Sequence, residues 1–276
     1  MGKTTVSKLV AEVEQELKVK LLMRTTRTVR PTPEGEIHYA RTMQWLRKLE
    51  DIDTGFAEYH ATPHGKVRVA LSSWVASEVV IPALRDFHDR YPGIQIELNV
   101  SDRPSHMILD NVDCAVRSGT APDMAVARPL GQTYFIAAAT PDYLAAYGMP
   151  RDPMELNENH HLVGHQFAAS GRSVPFRFRR IHEEVEIAGD WFVSVNDGNA
   201  HLSAGLNGLG VLTAFEWKLR PYLADGRLVR VLEDWRSAEY PFCLVYLPNE
   251  HRNQRVQIVM DWITELFASF ESGTGL

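Results

Sequence analysis

Apolar residues recur along the first segment of the chain with the period of a helix. Between Thr4 and Leu17, the side chains of Val6, Leu9, Val10, Val13 and Leu17 fall on one stripe, and Thr4 or Thr5 offers an N-capping hydroxyl. The Thr- and Val-containing stretch from Leu21 to Arg30 predicts a short hairpin. Thr32-Pro33-Glu34 then starts a second helix with a capping hydroxyl, Pro in the first helical position and an acid in the first turn. That helix is long: Trp45, Leu49, Ile52, Phe56 and Tyr59 form one apolar seam along it, and Tyr39, Met43 and Leu46 a second. Two seams on one helix predict a dimer, the alternative being that both pack on the chain's own body.

The polar stretch ATPHG at 61–65 predicts a domain boundary, which leaves a domain at 1–60 and another at 65–276. Beyond it come a strand at 67–71, a helix at about 77–91 and a strand at 94–100 whose Ile94, Ile96, Leu98 and Val100 alternate, a βαβ pattern that implies parallel sheet. A helix near 105–111, strands at 113–117 and 134–139 and a helix from Pro141 continue the pattern. A second set follows: strands at 162–166, 175–179, around Val185, at 192–196 and 211–213, with a helix at 197–206. The closing strand 242–247 and a helix of about 18 residues from Arg252 return to the first set, because Val256, Val259, Ile263, Leu266 and Phe267 need a face to bury. The fold class is α/β with two lobes, lobe I at about 65–137 and 241–276, lobe II at about 138–240.

Charge changes this picture at one end. The 276 residues hold 29 Lys and Arg against 35 Asp and Glu, a net of −6. Residues 1–30 nevertheless carry seven basic residues against three Glu, a net of +4, and the next thirty carry −3. A basic head before an acidic body suggests a polyanionic partner there. The apolar runs, such as 134–140, are far short of the roughly 18 residues of a spanning helix, and Met-Gly-Lys-Thr-Thr lacks the apolar core of an export signal. No membrane and a cytoplasmic location are expected. Cys114 and Cys243 lie in strand-like apolar runs without CxxC spacing and read as buried thiols.

Catalytic signatures are absent: no GxSxG, HExxH or GxxxxGK[ST] occurs, and no catalytic residue, metal or cofactor is assigned. Gly205, Gly208 and Gly210 follow a helix and precede a strand, the order of a helix stop and close packing. His160, His161 and His165 sit at the start of a strand, which does not bring i and i+4 together around a metal. A ligand cleft at the carboxyl ends of the strands is the better reading. Ser72, Ser73 and Trp74 follow the first strand and lead into a helix whose first amides favour a carboxylate. Ser101 and Asp102 follow the second strand and Arg117 the third; lobe II contributes His165, then Asn196 and Asp197, then Thr213 and Phe215. Asp102 and Asp197 read as turn or cap residues, and Arg117 as paired to a buried acid or aimed at an anionic ligand.

These residues carry a family likeness along the whole chain. Thr5-Val-Ser-Lys-Leu-Val-Ala-Glu-Val-Glu-Gln-Glu-Leu17, Leu21-Leu-Met-Arg-Thr-Thr-Arg27 and Pro31-Thr-Pro-Glu-Gly35 resemble the recognition helix, wing and linker-helix start of LysR-type transcriptional regulators. Gly65-Lys-Val-Arg-Val, Pro82-Ala-Leu-Arg-Asp-Phe, Tyr91-Pro-Gly, Asp113-Cys-Ala-Val-Arg-Ser-Gly119, Pro141-Asp-Tyr-Leu and Gly208-Leu-Gly-Val are similar to that family's effector-binding domain, in the expected order. The resemblance implies a winged helix-turn-helix, a linker helix and a two-lobed domain like that of periplasmic binding proteins. It also implies a homodimer or tetramer, promoter DNA as partner, and a small effector in the cleft. Lys3, Thr4, Thr5, Ser7 and Lys8 would then face DNA from the helix, and Arg24, Arg27 and Arg30 from the wing. By position, Ser72, Ser73, Arg117, Asn196 and Thr213 would face the effector. Family members carry about two further helices ahead of the recognition helix, so the resemblance implies a winged helix-turn-helix without its first helices. The leading function is a DNA-binding regulator sensing a small, anionic metabolite. The alternative is a truncated effector-binding, dimerising protein without effective DNA binding, and an enzyme using Arg117 and His165 lacks a paired acid and base.

Overall fold

The computed structural model describes residues 3–24, 28–55, 63–103, 107, 110–119, 125–167, 170–189, 191–248 and 253–271. The chain divides into two compact units, Met1–Thr62 with His106–Val112, and Pro63–Ser105 with Asp113–Leu276.

In the first unit, helix α1 (Lys3–Leu17) leads into the antiparallel pair β1 (Leu22–Arg24) and β2 (Val29–Pro31), and then into helix α2 (Pro33–Gly55). The turn after α1 is organised by one carboxylate. Glu14 is buried and accepts hydrogen bonds from the amides of Leu21 at 2.9 Å and Leu22 at 3.0 Å and from Lys20 Nζ at 2.8 Å. The cap expected at Thr32 is present: its hydroxyl donates to the Lys20 carbonyl at 2.6 Å and accepts from the Gly35 amide at 3.0 Å. Gly35 has to be glycine, because a Cβ there would lie 2.0 Å from the carbonyl oxygen of Leu21. Of the two seams on α2, Tyr39, Trp45, Leu46 and Leu49 are exposed, Trp45 by 67%. Phe56 and Tyr59 lie outside the described residues.

In the second unit, β3 (Gly65–Leu71) is followed by α3 (Ser73–Val75), a wide π-type turn (Ala76–Val80) and α4 (Ile81–Arg90) as one helical run, then by β4 (Ile94–Val100) and β5 (Cys114–Ser118). The run begins at Ser73, ahead of the expected residue 77, because the Ser72 hydroxyl caps the Val75 amide. Next come β6 (Val126–Thr133), β7 (Phe135–Ala139), α5 (Pro141–Tyr147) and α6 (Glu155–Asn159). Lobe II continues with β8 (Leu162–Gln166), β9 (Ser173–Val174), β10 (Phe176–Arg180), β11 (Glu183–Ile187), β12 (Trp191–Val195), α7 (Gly198–Leu206), β13 (Val211–Phe215), α8 (Glu216–Ala224) and β14 (Val229–Val231). The unit closes with β15 (Tyr240–Tyr246) and α9 (Gln254–Glu271).

Two sheets result. The first has the order β4-β3-β5-β15-β6, and the second β12-β8-β13-β7-β14 with β9 beside β8. As the βαβ pattern implies, β3 is parallel to β4 and β5, but β15 runs antiparallel to β5 and β6, so the sheet is mixed. Strand β7 belongs to the second sheet, which moves the first crossover from about residue 137 to just before Phe135. Strand β6 escapes the sequence pattern because Pro129 and Gly131 interrupt it; at a sheet edge both are tolerated. Helix α8 escapes because Pro221 sits inside it. Most of the helix expected near 105–111 lies outside the described residues, and Asp110 and Asn111 form turns.

The second sheet is buried on both faces, which is why its strands read as unbroken apolar runs. Ala137, Ala139, Leu162 and Val211 pack on one side with Tyr143, Leu156, Phe176 and Phe178; Ile136, Ala138, Val163 and Leu212 pack on the other with Leu202 and Leu219. Gly205 and Gly210 are the close approaches the sequence suggests: a Cβ would meet Leu212 at 2.7 Å and the His161 carbonyl at 2.3 Å respectively. In α9, Val256, Val259, Ile263 and Phe267 are buried as expected, Leu266 is half-buried, and Trp262 packs at a tilt against Phe87 with centroids 4.6 Å apart.

Candidate effector site and DNA-facing segment

The carboxyl ends of β3 and β4 in lobe I meet the start of α7 and the first turn of α8 in lobe II. Asp102, just past β4, reaches into that junction. Its Oδ1 accepts a hydrogen bond from the Ser73 amide at 2.8 Å, and its Oδ2 accepts from the Ser73 hydroxyl at 3.1 Å and from the Gly198 amide of the opposite lobe. Lys218 Nζ, on α8, donates to the carbonyl of the same Gly198. Asn199 completes the bridge, its side-chain amide donating to the Ser73 carbonyl and to Ser77 Oγ, each at 3.2 Å. A Cβ on Gly198 would lie 3.2 Å from Asp102 Oδ2, 3.4 Å from Lys218 Nζ and 3.6 Å from Ser73 Oγ, so three polar groups converge on one backbone position.

The electrostatics follow from burial. Lys218 is 6% exposed, and that burial pulls its pKa down to about 8 even though Asp102, Asp197 and Glu78 favour the ammonium. His201 is 3% exposed, its Nε2 donating to the Val163 carbonyl at 3.0 Å; burial drives its pKa down to about 3, so it is a neutral core imidazole. His165 packs edge-on against it with centroids 5.5 Å apart and is likewise shifted down by burial, against the pull of Asp102. Burial pushes Asp197 up, but the amides of Ala200 and Asn199, the Ser73 hydroxyl and Lys218 hold it below the ordinary carboxylate range.

The residues named from sequence fall into distinct places. Ser73 and His165 stand at the junction. Ser72 caps the helix after β3, and Trp74 is buried among core residues. The Ser101 hydroxyl accepts from the Arg103 amide at 3.1 Å, a local turn. Arg117 lies on β5 in register with Cys243. Asn196 is exposed just after β12. Thr213 and Phe215 lie on β13 opposite Ala137 and Phe135. Phe215 belongs to an aromatic group where the chain crosses between lobes, 4.3 Å from Phe135 and 5.2 Å from Phe242 by centroid. Asp197 is the expected helix cap, accepting from the Ala200 amide at 2.8 Å. Asp102 is not a local cap: the turn is already served by Ser101, and its carboxylate bonds across the lobes. Sequence reasoning missed Lys218, Gly198, Asn199 and His201. The placing of Lys218 between the apolar Trp217 and Leu219 was the available signal.

In the first unit, Thr5 and Lys8 are exposed on α1 and Ser7 is half-buried, with Lys8 3.9 Å from Glu12. Lys3 and Thr4 open the helix. Arg24 and Arg30 are exposed on the two strands of the hairpin, while Arg27 lies outside the described residues. On the apolar stripe, Val6, Leu9 and Leu17 are 45–46% exposed.

Fold and site thus define a two-lobed small-molecule-binding domain carried on the same chain as a helix, hairpin and long helix. Residues 60–268 match the LysR substrate binding domain, and residues 1–36 the bacterial regulatory helix-turn-helix protein, lysR family. The chain therefore belongs to the LysR family, a family of DNA-binding transcriptional regulators and not of enzymes. It is 31% identical to an uncharacterized HTH-type transcriptional regulator, YhjC, of Escherichia coli K12 over 98% of this chain and 90% of the relative. It is also 31% identical to an HTH-type transcriptional repressor of Pseudomonas aeruginosa over 97% and 84%. Among solved structures it resembles the Vibrio cholerae virulence activator AphB (TM-score 0.68, 25% identity, 96% of this chain and 90% of that one). The LysR-type regulator CrgA of Neisseria meningitidis is similar too (TM-score 0.68, 25% identity, 97% and 90%).

Proposed function

We propose that this LysR-type regulator senses a small anionic metabolite at the junction of its two lobes. The observation that carries the reading is the convergence there of the Ser73 and Gly198 amides and the buried Lys218 ammonium, donors suited to a carboxylate or similar anion. Ser72, Ser73, His165, Asn196 and Thr213 line the approach in this reading, and Arg117 supplies a second cation. Residues 1–60 form the DNA-binding and dimerising part and 65–276 the effector-binding part. Lys3, Thr4, Thr5, Ser7 and Lys8 face the major groove, and Arg24, Arg27 and Arg30 face phosphates. The exposed Trp45 and Leu49 on α2 supply a homodimer seam. Among the described residues no helix is long and apolar enough to cross a membrane, which fits a regulator working on cytoplasmic DNA.

The test is calorimetry and thermal shift of the full chain against a panel of small mono- and dicarboxylates, with matched amides and amines as controls. A carboxylate that raises the melting temperature and alters affinity for the gene's own promoter fragment supports the reading. Stabilisation by amines or neutral compounds alone overturns it.

A further inference from the structure

The place where a ligand's carboxylate is expected already holds one. Asp102 takes the Ser73 amide and hydroxyl on its own lobe and the Gly198 amide on the other. The turn after β4 is closed by Ser101, whose hydroxyl accepts from the Arg103 amide, so the bonds that the Asp102 carboxylate accepts here come from groups distant in sequence. Gly198 is gripped at both ends, its N–H by Asp102 and its carbonyl by Lys218, and a Cβ there would press on the Asp102 carboxylate at 3.2 Å and the Lys218 ammonium at 3.4 Å.

We propose that Asp102 is a tethered anion that fills the effector's seat in the unliganded protein and latches the lobes together, so that an anionic effector binds by displacing it. The proposal rests on the anionic reading of the cleft. An incoming carboxylate makes the same bonds to the Ser73 and Gly198 amides and gains its own contacts, while Asp102 returns to water beside the exposed Arg103. The net gain in hydrogen bonds is small, so the effector must supply binding energy elsewhere in the cleft, and the latch sets a threshold against weakly binding anions. Specificity then comes from the body of the effector and not from its carboxylate.

Free acetate is the probe. In Asp102→Ala the seat is vacated, so acetate should bind at least tenfold more tightly than to the unaltered protein. It should also restore much of the melting temperature that the substitution removes. Acetamide, and chloride at equal ionic strength, should do neither. Hydrogen exchange at the Gly198 amide gives a second readout: protected in the unaltered protein, fast in Asp102→Ala, and slowed again by acetate. If Asp102→Ala fails to fold, Asp102→Asn keeps the shape and one acceptor while losing the charge. That variant should bind the effector found with the carboxylate panel several-fold more tightly than the unaltered protein. Equal acetate affinity in the variant and the unaltered protein, with no recovery of melting temperature or protection, would show Asp102 to be a strut and overturn the proposal. Rescue by acetate together with no response of the unaltered protein to any carboxylate would instead keep the seat and sink the effector assignment.

Discussion

Asp102 and Gly198, 96 residues apart in the chain, are joined by a hydrogen bond from the glycine amide to the carboxylate. Each follows a strand of a different sheet, so this contact ties the carboxyl ends of the two lobes. A carboxylate shared between opposing amides beside a buried ammonium is a charge-assisted arrangement, stronger than a neutral pair. It also makes the junction dependent on charge in a way an apolar interface is not.

Lys218 should titrate far below an ordinary lysine. With its pKa at about 8 in the folded protein against 10.5 unfolded, the cost of burying its charge is fully present below pH 8. That cost is relieved as pH rises from 8 to 10.5, so this group adds stability with rising pH in that window. In carbon-13 NMR of reductively methylated protein, one dimethyl-lysine resonance should titrate near pH 8 and be missing from Lys218→Met. Titration of every lysine near 10 would refute the assignment.

His201 acts in acid. Its folded pKa of about 3 lies below the 6.5 of free imidazole, so the unfolded chain takes up a proton that the folded one refuses, and stability is lost as pH falls through 6.5 toward 3. Denaturant melts across this range should show a shallower dependence on pH for His201→Gln than for the unaltered protein. Parallel curves would mean that His201 is not held neutral.

Glu14 behaves oppositely in charge but alike in sign. Its carboxylate, held by Lys20 and the Leu22 and Leu21 amides, is pulled from 4.5 to about 2. The stability it contributes is present above pH 4.5 and is lost as pH falls toward 2. Glu14→Gln should speed hydrogen exchange at Leu21 and Leu22 at neutral pH, with the difference from the unaltered protein shrinking in acid.

Gly35→Ala should destabilise the first unit by about 1–3 kcal/mol, since the added methyl meets the Leu21 carbonyl and the turn must open to accept it. Circular dichroism would show a loss of melting temperature. An unchanged melting curve would contradict the close approach.

Fluorescence anisotropy on the promoter fragment adjoining the gene should show affinity falling steeply with salt. Arg24→Ala and Arg30→Ala should each flatten the slope of log K against log salt by about 0.9 if each neutralises one phosphate. Thr5→Ala should lower affinity for that fragment by about 1–3 kcal/mol while leaving binding to random DNA unchanged if Thr5 reads a base edge. Slopes that do not move would remove the hairpin from the DNA contact.

What sequence alone determined was local. Periodicity places α1 and α9, alternation places β4, and Thr32-Pro33 and Asp197 mark helix starts, because caps, φ constraints and amphipathic stripes act over a few residues. Family motifs, each contiguous in the chain, carried the likeness. What only tertiary structure decided was non-local: Ser73, Asp102, Gly198 and Lys218 come from four separate segments, and nothing in the sequence pairs one with another. Asp102 looks like a cap until Gly198 is brought to it from the other lobe. Lys218 looks solvated until the helix containing Pro221 folds it inward. Both roles depend on desolvation and distance, which exist only once the two sheets have assembled.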